Sequence, residues 1–225
     1  MSIVYIVSAP SGSGKSTLVN ELFKMVRNLD LSISYTTRPP RGSEQNGKEY
    51  FFVSREEFRA MIAADEFLEY AEVFGNYYGT AWRFLCEAEA RGHDLLLDID
   101  VQGASKIKEK IPEAVTIFIL PPDRENLEWR LRNRGLDSEA VIRRRLDTAR
   151  REIENYSKYD YILVNNVLEK SADQLKDIVL SERAQRSGAE LSGEEKRRVA
   201  TAQACRLEQT RERVQPILAS FNPQL

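Results

Sequence analysis

Residues 11–17 read Ser-Gly-Ser-Gly-Lys-Ser-Thr, the stretch of the chain whose spacing is best suited to chemistry. Two glycines among small residues let successive backbone N–H groups turn toward one anion, and a helix opening directly behind them adds the partial positive charge of its N-terminus. A lysine and a hydroxyl at the helix start complete a loop for polyphosphate, with Lys15 neutralising the β and γ phosphates and Ser16 ligating magnesium. The first glycine of the G-x-x-x-x-G-K-[ST] pattern is replaced by Ala9. A serine-glycine turn without ligand is the competing explanation. The strand expected before the loop and the helix expected after it weigh against that.

Acidic residues close the apolar run 94–100, DLLLDID. Side chains alternate along a strand, so Asp98 and Asp100 are expected on one side of its carboxyl end, where ligands gather in parallel sheets. There they would hold magnesium waters or take substrate hydroxyls; capping or salt bridging at the strand end is the alternative. The segment 34–41, SYTTRPPR, sets Arg38 and Arg41 three apart in a proline-stiffened loop. Guanidinium forks match phosphate oxygens, although two loop arginines are more commonly solvated. Glu69 lies in FLEYAEVFGNYYGT. An ionised carboxylate offers acceptors and no donor, which suits the N1–H and amino group of guanine and mismatches adenine. That selectivity requires burial, and a surface glutamate is the default. Tyr77 and Tyr78, between Gly75 and Gly79, offer hydroxyls to a phosphate or fill a core. Residues 124–151 contain nine arginines and no lysine, a set that closes over a triphosphate or laces a helix surface with ion pairs.

The elements that must position these groups follow from periodicity. Ile3 to Val7 reads as a buried strand, and Val19, Leu22, Phe23 and Val26 give the next segment, from about Lys15, one apolar helical face. From about Leu31 to Tyr78 strand-like fragments (ISYTT, EYFFV) alternate with glycine, proline and charge, and Ser54 with Glu57 forms a capping-box signature. This stretch reads as an inserted lobe. Runs at 94–100, 115–120 and 159–164 read as further buried strands separated by helices, which implies an α/β fold with a mostly parallel sheet and helices on both faces. Ile142, Leu146, Ala149 and Ile153 form an apolar stripe bordered by Arg145. Beyond about Arg186 strand signals stop; Ser192 and Glu195 cap a final helix expected to end before Pro216.

The balance of 33 basic and 35 acidic residues, net charge −2, argues against a dedicated nucleic-acid binder. Two cysteines, Cys86 and Cys205, and one histidine, His93, cannot build a four-ligand zinc site or a disulfide scaffold. No run is long enough for a membrane span or has a signal-peptide pattern, so a cytoplasmic location without membrane partners is expected.

Taken together, APSGSGKST, SYTTRPPRGSEQNGKEYFF, FLEYAEVFGNYYGT, LLLDIDVQGA, and LRNRG followed by RRRL resemble the guanylate kinase family from about Ile3 to Arg186. The resemblance implies a P-loop kinase core, an inserted GMP-binding lobe and a small lid. On the sequence these correspond to a domain 1–186 (core 1–32, 84–123 and 152–186; lobe 33–83; lid 124–151) and a helical tail 187–225. It implies magnesium-dependent transfer of the ATP γ-phosphoryl group to GMP, a step of purine nucleotide metabolism, with small-molecule partners ATP and GMP. By the same resemblance ATP would lie along Ala9, Pro10, Ser11, Gly12, Ser13, Gly14, Lys15, Ser16 and Thr17. Arg130, Arg134 and Arg145 would close around the transferring group together with Lys15. The GMP phosphate would be held by Arg38, Arg41, Tyr50 and Tyr78. Guanine would be read by Glu69 with Ser34 and Thr80, and Asp98 and Asp100 would serve GMP or the metal shell. A related sugar-phosphate kinase would not need Glu69 or the RPPR and GNYYG set. A catalytically silent scaffold module would lack the intact loop. No motif of the resemblance lies beyond Arg186, so loss of the tail is expected to leave some catalytic competence.

Overall fold

The computed structural model describes residues 2–73, 75–133 and 138–222. In chain order its elements are β1 (Val4–Ser8), α1 (Lys15–Met25), β2 (Leu29–Ser32), β3 (Tyr35–Thr36), β4 (Phe51–Phe52), α2 (Arg55–Ala63), β5 (Phe67–Val73), β6 (Asn76–Ala81) and α3 (Trp82–Arg91). There follow β7 (Asp94–Asp98), α4 (Val101–Lys110), β8 (Val115–Leu120), α5 (Arg124–Asn133), α6 (Glu139–Ile153), a 3-10 turn (Glu154–Lys158), β9 (Tyr161–Val164), α7 (Leu168–Ser187), α8 (Gly193–Ala204) and α9 (Leu207–Phe221). Five strands form a central sheet in the order β2-β7-β1-β8-β9, with β2 parallel to β7 and β8 parallel to β9. All residues of β1 and β8 are buried, as apolar runs in a sheet covered on its faces must be. Four further strands form a second sheet in the order β4-β3-β6-β5, with β6 antiparallel to β3 and β5. No described helix is long and apolar enough to cross a membrane.

The chain divides into two compact units, one built from the residues up to Ile6 with Asn28–Val115 and one from Val7–Arg27 with Thr116 onward. In the first, the small sheet packs on α2 around Tyr35, Phe58, Phe67 and Ala81. Phe58 is fully buried and stacks on Phe67 at 4.4 Å and on Tyr77 at 5.3 Å between ring centroids. Its helix starts as the sequence predicts: the Ser54 side chain accepts from Glu57 N–H while Glu57 accepts from Ser54 N–H. In the second unit α1 packs on α7, and the stripe Ile142, Leu146, Ala149 and Ile153 is buried on α6.

Two expectations are corrected. The strand expected over 94–100 ends at Asp98, and Asp100 instead caps α4, its Oδ1 accepting from Gln102 N–H at 3.1 Å and Gly103 N–H at 2.8 Å. The two acids therefore do not share one strand face. The helix capped by Ser192 ends at Ala204, before Pro216 as expected, but it is not the last: a further helix, α9, runs through Pro216. A proline inside a helix removes one backbone hydrogen bond and costs roughly 3 kcal/mol, and burial of Val214, Ile217 and Phe221 on the same helix offsets it.

Because Phe58 joins α2 to the small sheet, Phe58→Ala should destabilise the protein by about 3–5 kcal/mol in urea unfolding; a loss near zero would show that α2 is not held by this stack.

Candidate functional site

In the second unit, the loop after β1 is built around one carbonyl. Gly12 and Gly14 have φ of 95° and 87°, the left-handed region that glycine enters without strain. Ser13 N–H donates to Pro10 O at 3.1 Å, closing the turn. The Ser13 carbonyl accepts from Asn165 Nδ2 at 2.8 Å and from Arg130 Nη1 at 3.3 Å, while Arg130 Nη2 donates to Asn165 O at 2.8 Å. In a trans peptide the C=O and the following N–H point in opposite directions, so pinning the Ser13 carbonyl fixes the Gly14 N–H the other way. Carbonyls carry no formal charge, so these bonds hold Arg130 in place without neutralising it. Burial lowers its pKa below the usual arginine value, opposed by Asp123.

Helix α5 lies directly against the loop. A Cβ at Gly12 would stand 2.9 Å from Leu131 Cδ2 and 3.0 Å from Leu127 Cδ1, and both leucines are fully buried. Beside it opens a cavity of about 350 Å³ whose lining includes Gly12, Gly14, Trp129, Arg130, Asn165 and Asn166. Trp129 is 63% exposed. Ala9 and Pro10 are buried, Lys15 is half-buried at the first position of α1, and Ser11, Ser16 and Thr17 are exposed. Arg145 is half-buried on α6, and Arg134 lies outside the described residues. Among the described residues no three His, Cys, Asp or Glu side chains are grouped to hold a metal. The Ser16 hydroxyl, in the first turn of α1, is a hard oxygen suited to a magnesium ion that arrives on phosphates.

In the first unit, the end of β3 builds a cationic corner. Thr36 Oγ1 accepts from Arg38 N–H at 3.1 Å and donates to Tyr77 O at 3.0 Å, setting where Arg38 leaves the strand. The Arg38 guanidinium is buried and makes a fork on Glu44 at 2.9 and 3.0 Å, with a further bond to Pro39 O at 2.7 Å. Glu44 also accepts from Arg41 N–H at 2.7 Å, whereas the Arg41 side chain is exposed. Arg38 lies 5.3 Å from the Tyr50 ring centroid, and Tyr50 meets Tyr78 edge-on at 6.0 Å. The Tyr50 hydroxyl is pushed up to about 12, first by burial and then by Asp98 and Tyr78, so it remains a donor. Ser34 is half-buried, its carbonyl accepting from Phe51 N–H at 2.9 Å.

Glu69 is 7% exposed, and its Oε1 accepts from Thr80 Oγ1 at 2.9 Å. A register shift between Phe67 and Glu69 on β5 explains the burial: Phe67 pairs with Ala81 and Glu69 with Thr80, leaving Leu68 as an extra residue. Phe67, Leu68 and Glu69 are all buried in succession. Helix α4 closes over the carboxyl, for a Cβ at Gly103 would stand 3.2 Å from Glu69 Oε2. Burial raises the Glu69 pKa to about 7, with Asp100 adding to the rise and Thr80 and Lys106 opposing it.

Sequence reading did not find Glu44, Asn165, Trp129 or Gly103. Glu44 follows Arg38 by six residues, a weak signal, and Asn165 lies far along the chain from the loop it braces.

A glycine-built anion loop braced by an uncommitted arginine, with an arginine–tyrosine corner and a buried carboxylate in another unit, defines a P-loop phosphotransferase of the nucleoside monophosphate kinase class. Residues 1–182 match the family model described as guanylate kinase. The chain is 59% identical over 221 residues to the guanylate kinase of Koribacter versatilis, spanning 97% of this chain and 95% of that one. It is 51% identical over 184 residues to the guanylate kinase of Neisseria gonorrhoeae, spanning 82% of this chain and 90% of that one. The crystal structure of guanylate kinase from Anaplasma phagocytophilum matches with a TM-score of 0.68 at 38% identity, over 80% of this chain and 86% of that chain. The chain belongs to the guanylate kinase family.

Because the Glu69 pKa rises from 4.5 to about 7 on folding, the folded protein binds more protons than the unfolded chain between those values. Stability therefore falls as pH rises through that window, by on the order of 3 kcal/mol from this residue. Glu69→Gln should be more stable than the wild type above pH 7, with the gap closing toward pH 4.5. Urea unfolding at several pH values tests this, and a pH-independent difference would contradict it.

Proposed function

We propose that this member of the guanylate kinase family, which phosphorylates GMP with ATP, assigns one nucleotide to each unit. The second unit takes ATP. The backbone from Ala9 to Thr17 and the Lys15 ammonium hold the triphosphate, with Arg130, Arg134 and Arg145 adding positive charge. The base enters the cavity beside Trp129, where Asn165 and Asn166 offer amide groups. Ser16 binds the magnesium ion that accompanies ATP, and that ion supplies neutralisation of phosphate charge.

The first unit takes GMP. Arg38, Arg41, Tyr50 and Tyr78 hold its phosphate, while Glu69, with Thr80 and Ser34, reads the N1–H and amino group of guanine. Asp98 and Asp100 serve GMP or the metal shell. A GMP phosphate oxygen is already anionic, so no general base is required. That oxygen bonds to the γ-phosphorus as the bridging bond to ADP breaks, and the electron pair leaves with ADP. The side chains align the reacting groups and neutralise charge.

The buried Glu69 on Thr80 carries this reading, because a desolvated carboxylate left facing adenine would be unmatched. A coupled assay with magnesium-ATP and GMP, AMP, UMP or ribose 5-phosphate tests it. GMP should lead by at least about 100-fold in kcat/KM, and comparable use of ribose 5-phosphate would contradict the reading. Lys15→Ala should lower turnover by on the order of 100-fold or more, whereas Glu69→Gln should raise KM for GMP and leave KM for ATP unchanged.

A further inference from the structure

The family model ends at residue 182, so α8 and α9 lie outside it. These helices are nonetheless built into the second unit. The β9 strand is last in its sheet, and its backbone is covered by the junction between α8 and α9: Ile162 N–H donates to Cys205 O at 2.8 Å, and Leu207 N–H donates to Asp160 O at 3.1 Å. Glu182 on α7 is 8% exposed and accepts from the Tyr161 hydroxyl and from Arg206 Nη2, the latter at 2.9 Å. The Arg206 guanidinium lies 4.1 Å over the Tyr161 ring centroid. Arg206, with Arg186 Nε 3.9 Å from the other carboxylate oxygen, supplies positive charge to this buried group, and burying an unpaired charge costs several kcal/mol.

From that anchor α9 reaches the start of α5. Ser220 Oγ accepts from Arg124 N–H at 3.0 Å and donates to Ile217 O at 2.6 Å, so the hydroxyl is used as both donor and acceptor. Asp123 Oδ1 accepts from Asn126 N–H at 2.7 Å in the same turn. The amides that open a helix have no partner inside it, and here one of them is satisfied from α9. Six residues on, about 9 Å along the axis, the same helix places Arg130 on the Ser13 carbonyl and Leu127 and Leu131 against Gly12.

We propose that the C-terminal extension is a positioning element for catalysis, in which Ser220 fixes the start of α5 and thereby seats Arg130 on the phosphate loop. It gives a role to the chain beyond Arg186, where no motif of the resemblance lies, and it rests on the reading of the second unit as the ATP half. Ser220 touches no substrate. Its effect passes through α5, so it falls on kcat and on KM for ATP and not on KM for GMP.

The test is Ser220→Ala in the full chain, with Ser220→Thr as the conservative variant. Kinetics are read per folded molecule, and hydrogen exchange is read at amides 124–131. The alanine variant should lower kcat and raise KM for ATP, together changing kcat/KM about fivefold, the worth of one helix-cap hydrogen bond. KM for GMP should stay unchanged, protection over 124–131 should fall, and threonine should restore all three. A variant with a lower melting temperature but wild-type kcat, KM for ATP and exchange would show a purely structural role and overturn the proposal. If the wild type made no GDP, the ATP–GMP reading would fail on its own. Exchange over 124–131 would then decide whether Ser220 holds α5, with unchanged protection overturning that.

Discussion

A charged group taken out of water without a partner costs several kcal/mol, so a protein that must receive anions and a base cannot leave its reading groups bare. Each key group here has a holder. Arg130 is held by two carbonyls that leave its charge available. Arg38 is held by the Glu44 fork, which keeps the Glu44 carboxyl below the usual range. Glu69 is held by Thr80, and burial keeps much of it neutral near pH 7. The geometry of both proposed nucleotide sites follows from these three arrangements.

Each holder is itself placed by backbone features. The bulge at Leu68 turns Glu69 inward, and Asp100 fixes the helix that lies over it. Lys106 and Lys110 on that helix donate to the carbonyls of Tyr70 and Leu68, tying α4 to β5, the last strand of its sheet. In the second unit the support for Arg130 runs through α5 to Ser220, which joins residues at the far end of the chain to the phosphate loop. Family motifs mark the groups assigned to the nucleotides, whereas the holding groups are dispersed along the sequence.

That difference sets what the sequence made legible. The loop at 11–17, the strand before it and the helix after it follow from local pattern alone, as do the Ser54–Glu57 cap and the buried stripe of α6. The residue type of Glu69 suggested guanine, but its burial depends on one extra residue in a strand, which alternation cannot foresee. Asp100 was misplaced because an apolar run does not show where a strand stops and a helix cap starts. Pro216 was read as a stop because propensity is local, while the packing of α9 is not. The pairing of Arg206 with Glu182 spans 24 residues and two helices, and no pattern in either segment announces it.

The central claim is that Glu69 is kept largely neutral by burial and becomes the carboxylate that reads guanine. Calorimetric titration of GMP near pH 6.5, in buffers of different ionisation enthalpy, counts the protons released on binding. With a pKa of about 7, roughly three quarters of Glu69 is protonated there, so the wild type should release more than half a proton beyond the Glu69→Gln variant. The ionisation of the GMP phosphate is common to both proteins and cancels in the difference. Equal proton release by the two would contradict the claim.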